Sequence, residues 1–295
     1  MGKQYKALLE VCLVSLVLAF VAWLHEAYLS GIFLGLSFKT FMMFVTLLAI
    51  ILPRRSFRIY GFIPESPHFT LKWSSVFVAV FTVPTVVSIA VSVALGLAKP
   101  AGLSLLGITL NVVFFMVFVG LVEEAYFRGY VQSRLNEVFG KRWRRLVFKA
   151  WRVDYGVGLL LTSVIFALIH VVNYWNPITL RWEPAWWMPI HILGAFAFGC
   201  LAGAVREASD IYISASLHGG IMTSYTFLSI YTSELILNIS LFTSWFIFFY
   251  LLTIFLRESE NLKPEPWSCE QEATVQSRSV NLDCFKVSTK TYNAT

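Results

Sequence analysis

Three short stretches carry the side chains that could do chemistry. Leu121–Tyr130 reads LVEEAYFRGY and follows Ile108–Gly120, an apolar run broken only by Thr109 and Asn111. Glu123, Glu124 and Arg128 therefore fall where a hydrocarbon-spanning helix is expected. Charge at that depth costs ~2.5–3.5 kcal/mol per residue on insertion scales, and such residues face a cavity and pair with one another. The second stretch, FALIHVVN, sets Phe166 one helical turn before His170. The third, SASLHGGIM, puts His218 near the centre of another apolar segment.

On a helix Glu124 and Arg128 share one face. A guanidinium there keeps a neighbouring carboxylate ionised and in a fixed rotamer. Glu123 points ~100° away, on the side of Phe127 and Tyr130, and is the freer carboxylate. A free carboxylate near a histidine polarises water as a general base, and a second histidine stabilises the developing oxyanion. Glu123, His170 and His218 are thus the expected catalytic residues of a hydrolase in a membrane cavity, with no cofactor required. The same three side chains would suffice as ligands for zinc, which is the alternative. No HExxH or equivalent helical pair supports that alternative. His25, His68 and His191 have no such company and read as structural.

The elements that must position these groups follow from composition. Apolar residues make up 57% of the 295 and charged residues 14%, well below the usual quarter. This is an integral membrane protein, all-α and polytopic, and the net charge of +6 speaks for membrane orientation, not for nucleic-acid binding. Windows near the ~20 residues a span needs lie at 7–24, 32–52, 74–97, 105–134, 156–172, 189–204, 210–228 and 233–256. About eight transmembrane helices enclosing an intramembrane catalytic cavity are expected, forming one domain over 1–256. From Arg257 onward the chain is polar and aperiodic, read as a disordered tail over 257–295. Cys12, Cys200, Cys269 and Cys284 have no metal-type spacing.

Counting by alternation, nearly every loop Lys and Arg falls on the side of the N-terminus, and only Lys39, Lys99 and Arg181 fall on the other. Both termini are then cytoplasmic. The cell membrane is the expected location, with the endoplasmic reticulum as alternative. Residues 141–155 place Trp143, Val147, Ala150 and Trp151 at helical spacing among basic residues. They read as an interfacial helix on anionic lipid or as a plain positive-inside loop. Trp175, Trp182, Trp186 and Trp187 read as an aromatic belt. Ala195, Gly199 and Gly203, four apart, form a stripe that lets membrane helices approach closely.

Depth tests whether the three stretches can meet. Glu123 lies ~16 Å from Arg134 along a helix, His170 ~22 Å from Tyr155, and His218 ~12 Å from Asp210. All three fall near the middle of a ~30 Å core. This requires the fourth helix to run past the glutamates without a break, and residues 100–107 to lie shallow.

At these residues the chain resembles the CPBP intramembrane proteases, the family of type II CAAX prenyl proteases and bacteriocin-processing and immunity proteins. Glu123, Glu124 and Arg128 match its EExxxR, Phe166 and His170 its FxxxH, and His218 the histidine of its HxxxN or HxxxD motif. The resemblance covers about residues 100–230. It implies that Glu123 and His170 activate the attacking water, that His218 belongs to the oxyanion hole, and that the substrate is a prenylated or other membrane-associated peptide cut near its C-terminus from the cytoplasmic side. The family is often classed with the metalloproteases, although a glutamate-activated water is the better-supported picture. One position departs: Met222 stands where the motif has Asn or Asp, and a thioether donates no hydrogen bond. Thr223 or Ser224 would compensate if the helix were offset at Gly219-Gly220. Met222 is also what favours the rival reading, a weak or inactive relative acting as scaffold or immunity factor. A transporter or proton relay comes third.

Overall fold

In the computed structural model, the residues described are 2–28, 34–99, 102–145, 151–176 and 179–262. Residues 1–260 form one compact unit and 261–295 a second, of which only the end of the last helix is described. The first unit is an all-α bundle built from α1 (Lys3–Tyr28), α2 (Leu34–Ile51), α3 (Pro67–Ala94), α4 (Leu105–Phe139), α5 (Val157–Ile169), α6 (Met188–Ala208), α7 (Ile211–Tyr231) and α8 (Glu234–Leu262). Among these, α1, α3, α4, α6 and α8 are long and apolar enough to cross a membrane, and Leu36–Ile51 and α5 are shorter apolar helices. The more polar α7 is largely buried by the helices around it, so its own surface need not be oily.

Helix ends follow local chemistry. Ser66 caps α3 by accepting from the Phe69 amide, and Pro67 occupies the first helical turn, where its missing N–H costs nothing. Ser104 caps α4 by accepting from the Gly107 amide at 3.1 Å. Asp210 caps α7, accepting from the Tyr212 and Ile213 amides at 2.9 and 3.2 Å. It also accepts from Thr70 on α3, which ties the starts of those two helices together.

α4 is continuous through the glutamate pair, as the depth argument demands, but not uniformly wound. Phe114–Leu121 and Ala125–Gln132 are π-helical, with Val122–Glu124 between them in α geometry. Such wide turns inside α-helices are rare and cluster at functional sites.

Glycines set the crossings that matter. A Cβ on Gly120 would stand 2.6 Å from the Ala215 carbonyl oxygen, and one on Gly219 would stand 2.8 Å from the Met116 Cα. The backbones of α4 and α7 therefore touch one turn from Glu124 and beside His218. A Cβ on Gly199 would meet Ser163 at 3.0 Å, and one on Gly203 would meet Gln132 at 2.9 Å. The stripe along α6 thus packs against α5 and α4 at close range.

Two expectations need correction. Lys141–Arg145 and Arg152–Gly156 are not helical but pair as antiparallel strands β1 and β2, and residues 146–150 of that expectation lie outside the described residues. Two glycines explain the change. Gly140 ends α4 at φ +68°, a left-handed region open to glycine. A Cβ on Gly156 would fall 2.1 Å from the Gly140 carbonyl oxygen, so the hairpin closes backbone to backbone. Trp143 and Tyr155 then face each other at 5.5 Å. The expected boundary at residue 256 also shifts. α8 continues to Leu262 because Glu258 reaches Lys72 at 2.7 Å and the Trp73 indole at 3.0 Å. Residues 263–295, the remainder of the expected tail, lie outside the described residues.

A candidate active site

Four elements enclose a cavity of about 330 Å³ whose lining includes Ser15, Lys39, Met42, Glu123, Tyr126, Phe166, His170 and Asn173. Phe127, Met42 and Leu18 are buried at its floor. Glu123 comes from the α-helical turn between the two π-helical stretches of α4. His170 comes from the first residue after α5, where the chain tightens into the 3₁₀ turn His170–Tyr174.

The protonation geometry of His170 is defined by its neighbour. Nδ1 lies 2.8 Å from the Phe166 carbonyl oxygen, and a carbonyl can only accept. Nδ1 therefore carries the hydrogen, and Nε2 of the neutral ring presents a lone pair. The residue that fixes this tautomer is the phenylalanine of the FxxxH motif, acting through its backbone.

The Phe166 ring has separate work. It meets Phe127 edge to face at 5.0 Å, His170 at 4.7 Å, His218 at 5.9 Å and Phe198 at 5.9 Å. The Arg128 guanidinium lies 5.0 Å from its centroid. One aromatic ring thus separates the cavity from the buried ion pair behind it.

That pair is Glu124 and Arg128, 3.2 Å apart with both side chains fully buried. His218 joins it, its Nδ1 donating to Glu124 Oε1 at 3.0 Å. The spacing of the three motifs predicts Glu123, His170 and His218 around one reaction centre. Glu123 and His170 do line one cavity. His218 is 5% exposed and is absent from the cavity's described lining. It turns to the second glutamate, held there by the close crossing of α4 and α7.

Glu123 is not free. Lys39, on the second turn of α2, reaches Glu123 Oε1 at 2.5 Å. By alternation of the spans this lysine is expected at the membrane surface. An apolar helix carrying one cation just inside its start was the available signal, and it is ambiguous, because lysines at helix ends ordinarily reach outward to water. His191, read as a lone structural residue, also has company: Tyr174 Oη at 2.9 Å and the His170 ring at 5.3 Å.

Met222 stays where the motif's donor would be. α7 is regular throughout, with no offset at Gly219-Gly220. At ~100° per residue Met222 lies ~40° from His218 and Thr223 ~140° away. The compensation expected from Thr223 or Ser224 has no geometric basis, and both hydroxyls are buried without a hydrogen-bond partner among the described residues.

The zinc alternative was Glu123, His170 and His218. Among the described residues no three His, Cys, Asp or Glu side chains group as a metal site. Glu123 carries Lys39 and His218 carries Glu124, so these donors do not fit a shared ion.

Fold and site together define a class: an all-α, polytopic membrane protein with an acidic and histidine-bearing cavity. The family is more particular. Residues 105–224 match the sequence model of the Rce1-like family, described as type II CAAX prenyl endopeptidase Rce1-like. The matched segment runs from the start of α4 through Ser224 and contains all three motifs. The match covers less than half of the chain; it supports the CPBP/CAAX protease family and a protease of CAAX type. No curated protein and no solved structure matches the chain.

Proposed function

We propose that this protein is an intramembrane endopeptidase that hydrolyses a peptide bond near the C-terminus of a prenylated or other membrane-associated peptide. One observation carries the reading: Glu123 and the bare Nε2 of His170 share a cavity large enough for water and an extended peptide segment. The Glu123 carboxylate and His170 Nε2 accept hydrogen bonds from the attacking water, and Glu123 takes one proton from it as the new C–O bond forms. That proton then passes to the amide nitrogen as the C–N bond breaks. Glu124, Arg128 and His218 position the helix that carries Glu123. No cofactor is needed for these steps. The N-terminus and the basic loops face the cytoplasm in the cell membrane, with the C-terminus on the same side, and the exposed arginines of the β1–β2 hairpin lie against anionic lipid.

The test is cleavage of a prenylated CAAX-type reporter by purified protein in detergent, beside Glu123→Ala and His170→Ala. Loss of cleavage in both variants is expected, and wild type indistinguishable from them would sink the reading for that substrate. Met222 and the Lys39 contact favour a second reading, an inactive relative serving as scaffold or immunity factor, for which the same assay returns no cleavage at all.

A further inference from the structure

We propose that Lys39 is a catalytic residue, the electrophile that holds the oxyanion of the tetrahedral intermediate in place of the donor that Met222 cannot supply. This rests on the hydrolase reading above.

Attack on a peptide carbonyl puts negative charge on its oxygen, and a cavity poor in water must meet that charge with fixed hydrogen-bond donors. Among the described residues lining the cavity, most donors are already used. Ser15 Oγ has one hydrogen and gives it to the Val11 carbonyl at 2.8 Å. The 2.6 Å contact between Ser15 and Tyr126 must then use the tyrosine's hydrogen. The Nδ1 hydrogen of His170 goes to Phe166. His218, the family's implied oxyanion residue, gives its Nδ1 hydrogen to Glu124 and does not line the cavity.

Two candidates remain, the Asn173 amide and the Lys39 ammonium. Asn173 sits exposed at the rim, three residues past His170. Lys39 touches the base itself. An ammonium has three hydrogens, and one points at Glu123 Oε1. Among the described residues no other acceptor takes the remaining two. A water held by Glu123 is thus within reach of the same ammonium, and so is a carbonyl oxygen presented to that water. Lys39 is 17% exposed, dry enough for a fixed charge to act strongly.

The step balances without a further reactant. Water oxygen bonds to the carbonyl carbon, one water proton goes to Glu123, and the carbonyl electron pair moves onto oxygen, where two N–H groups of Lys39 receive it. Collapse of the intermediate breaks the C–N bond, and the proton on Glu123 leaves with the amine. Lys39 remains an ammonium throughout.

The experiment compares kcat and KM on the prenylated reporter for wild type, Lys39→Met, Lys39→Gln, Lys39→Arg and Glu123→Gln, with a thermal melt of each. It also measures binding of a peptide phosphonate, an anionic mimic of the tetrahedral state, against the uncleaved peptide. Lys39→Met and Lys39→Gln are expected to lower kcat by ~10²–10³ with KM little changed. Phosphonate binding should weaken by a similar factor while peptide binding holds, and Lys39→Arg should recover part of the rate. If Glu123→Gln is inactive while both neutral variants keep wild-type kcat, the Lys39 assignment is overturned and the hydrolase reading stands. A rise in KM alone makes Lys39 a substrate-binding group and also overturns it. Wild-type turnover by Glu123→Gln, or none by wild type, removes the hydrolase reading and the assignment with it.

Discussion

The last third of α4 and its middle handle buried charge in opposite ways. Near the end, Glu10 of α1 accepts from Arg55 at 2.6 and 2.8 Å, from Arg134 at 2.9 Å and from Tyr130 at 2.9 Å. A few residues away, Glu207 accepts from Gln132 at 2.7 Å and from Asn136 at 2.5 Å, and pairs with Lys141 at 2.6 Å. Each of these carboxylates is surrounded by donors. In the middle, Arg128 is fully buried, yet its guanidinium nitrogens have no hydrogen-bond partner among the described residues. The 3.2 Å approach of its Nε to Glu124 is an ion pair without hydrogen-bond angles, supplemented by the faces of Phe166 and Phe127 at 5.0 and 5.8 Å. The end of the helix is fastened. Its centre holds charge at a cost, which is how a site differs from a brace.

That contrast can be broken experimentally. The largest effect is expected at Glu123 and His170, where Glu123→Gln or His170→Ala should lower kcat by ~10²–10⁴. His170→Ala should leave the thermal midpoint nearly unmoved, whereas Glu123→Gln leaves Lys39 without its counter-charge and should lower it. Arg128→Met leaves Glu124 buried without its cation and should cost about 3–5 kcal/mol in unfolding experiments. The double variant Glu124→Leu/Arg128→Met should recover most of that stability and little of the activity. Full recovery of turnover would show that the pair is packing alone. Next comes Gly120→Ala, whose new Cβ has no room against the Ala215 carbonyl oxygen. A loss of ~1–3 kcal/mol is expected, with kcat falling further than in an equally destabilised variant at Gly203, because α4 and α7 part beside His218. Glu10→Gln tests the fastened end. It should cost about 1–2 kcal/mol, since the site is partly solvated, and leave kcat alone. The smallest effect is reserved for Met222→Asn. If Lys39 already serves the oxyanion, kcat should gain far less than the ~10²–10³ that a restored donor would return.

Much of this was legible in the sequence because it depends on periodicity and rise. Helix placement follows from apolar windows, and the unbroken run of α4 follows from requiring Glu123 and His170 to lie at one depth. The Glu124–Arg128 pairing follows from four-residue spacing. What could not be read depends on partners from other elements. The spacing of Glu123 and Glu124 says that they point apart, but not that one meets Lys39 and the other His218. That choice is made by where α2 and α7 cross α4, and the second crossing is set by contact between Gly120 and Gly219. The β1–β2 hairpin was hidden for a related reason. Trp143 and Trp151 do have helical spacing, and only the closure of Gly156 on Gly140, sixteen residues apart in the chain's numbering, rules that helix out.

The brevity of α5 has a consequence for supply. Its thirteen residues span ~20 Å, about two thirds of a ~30 Å hydrocarbon core. After its last residue the backbone leaves the α-helix for the 3₁₀ turn that carries His170, and a break from α geometry at hydrocarbon depth is tolerated only inside protein or beside water. A bilayer meeting so short a helix thins locally. The proposed hydrolysis would consume one water per turnover, and a bilayer thinned beside the helix that ends at His170 would lower the barrier against delivering it.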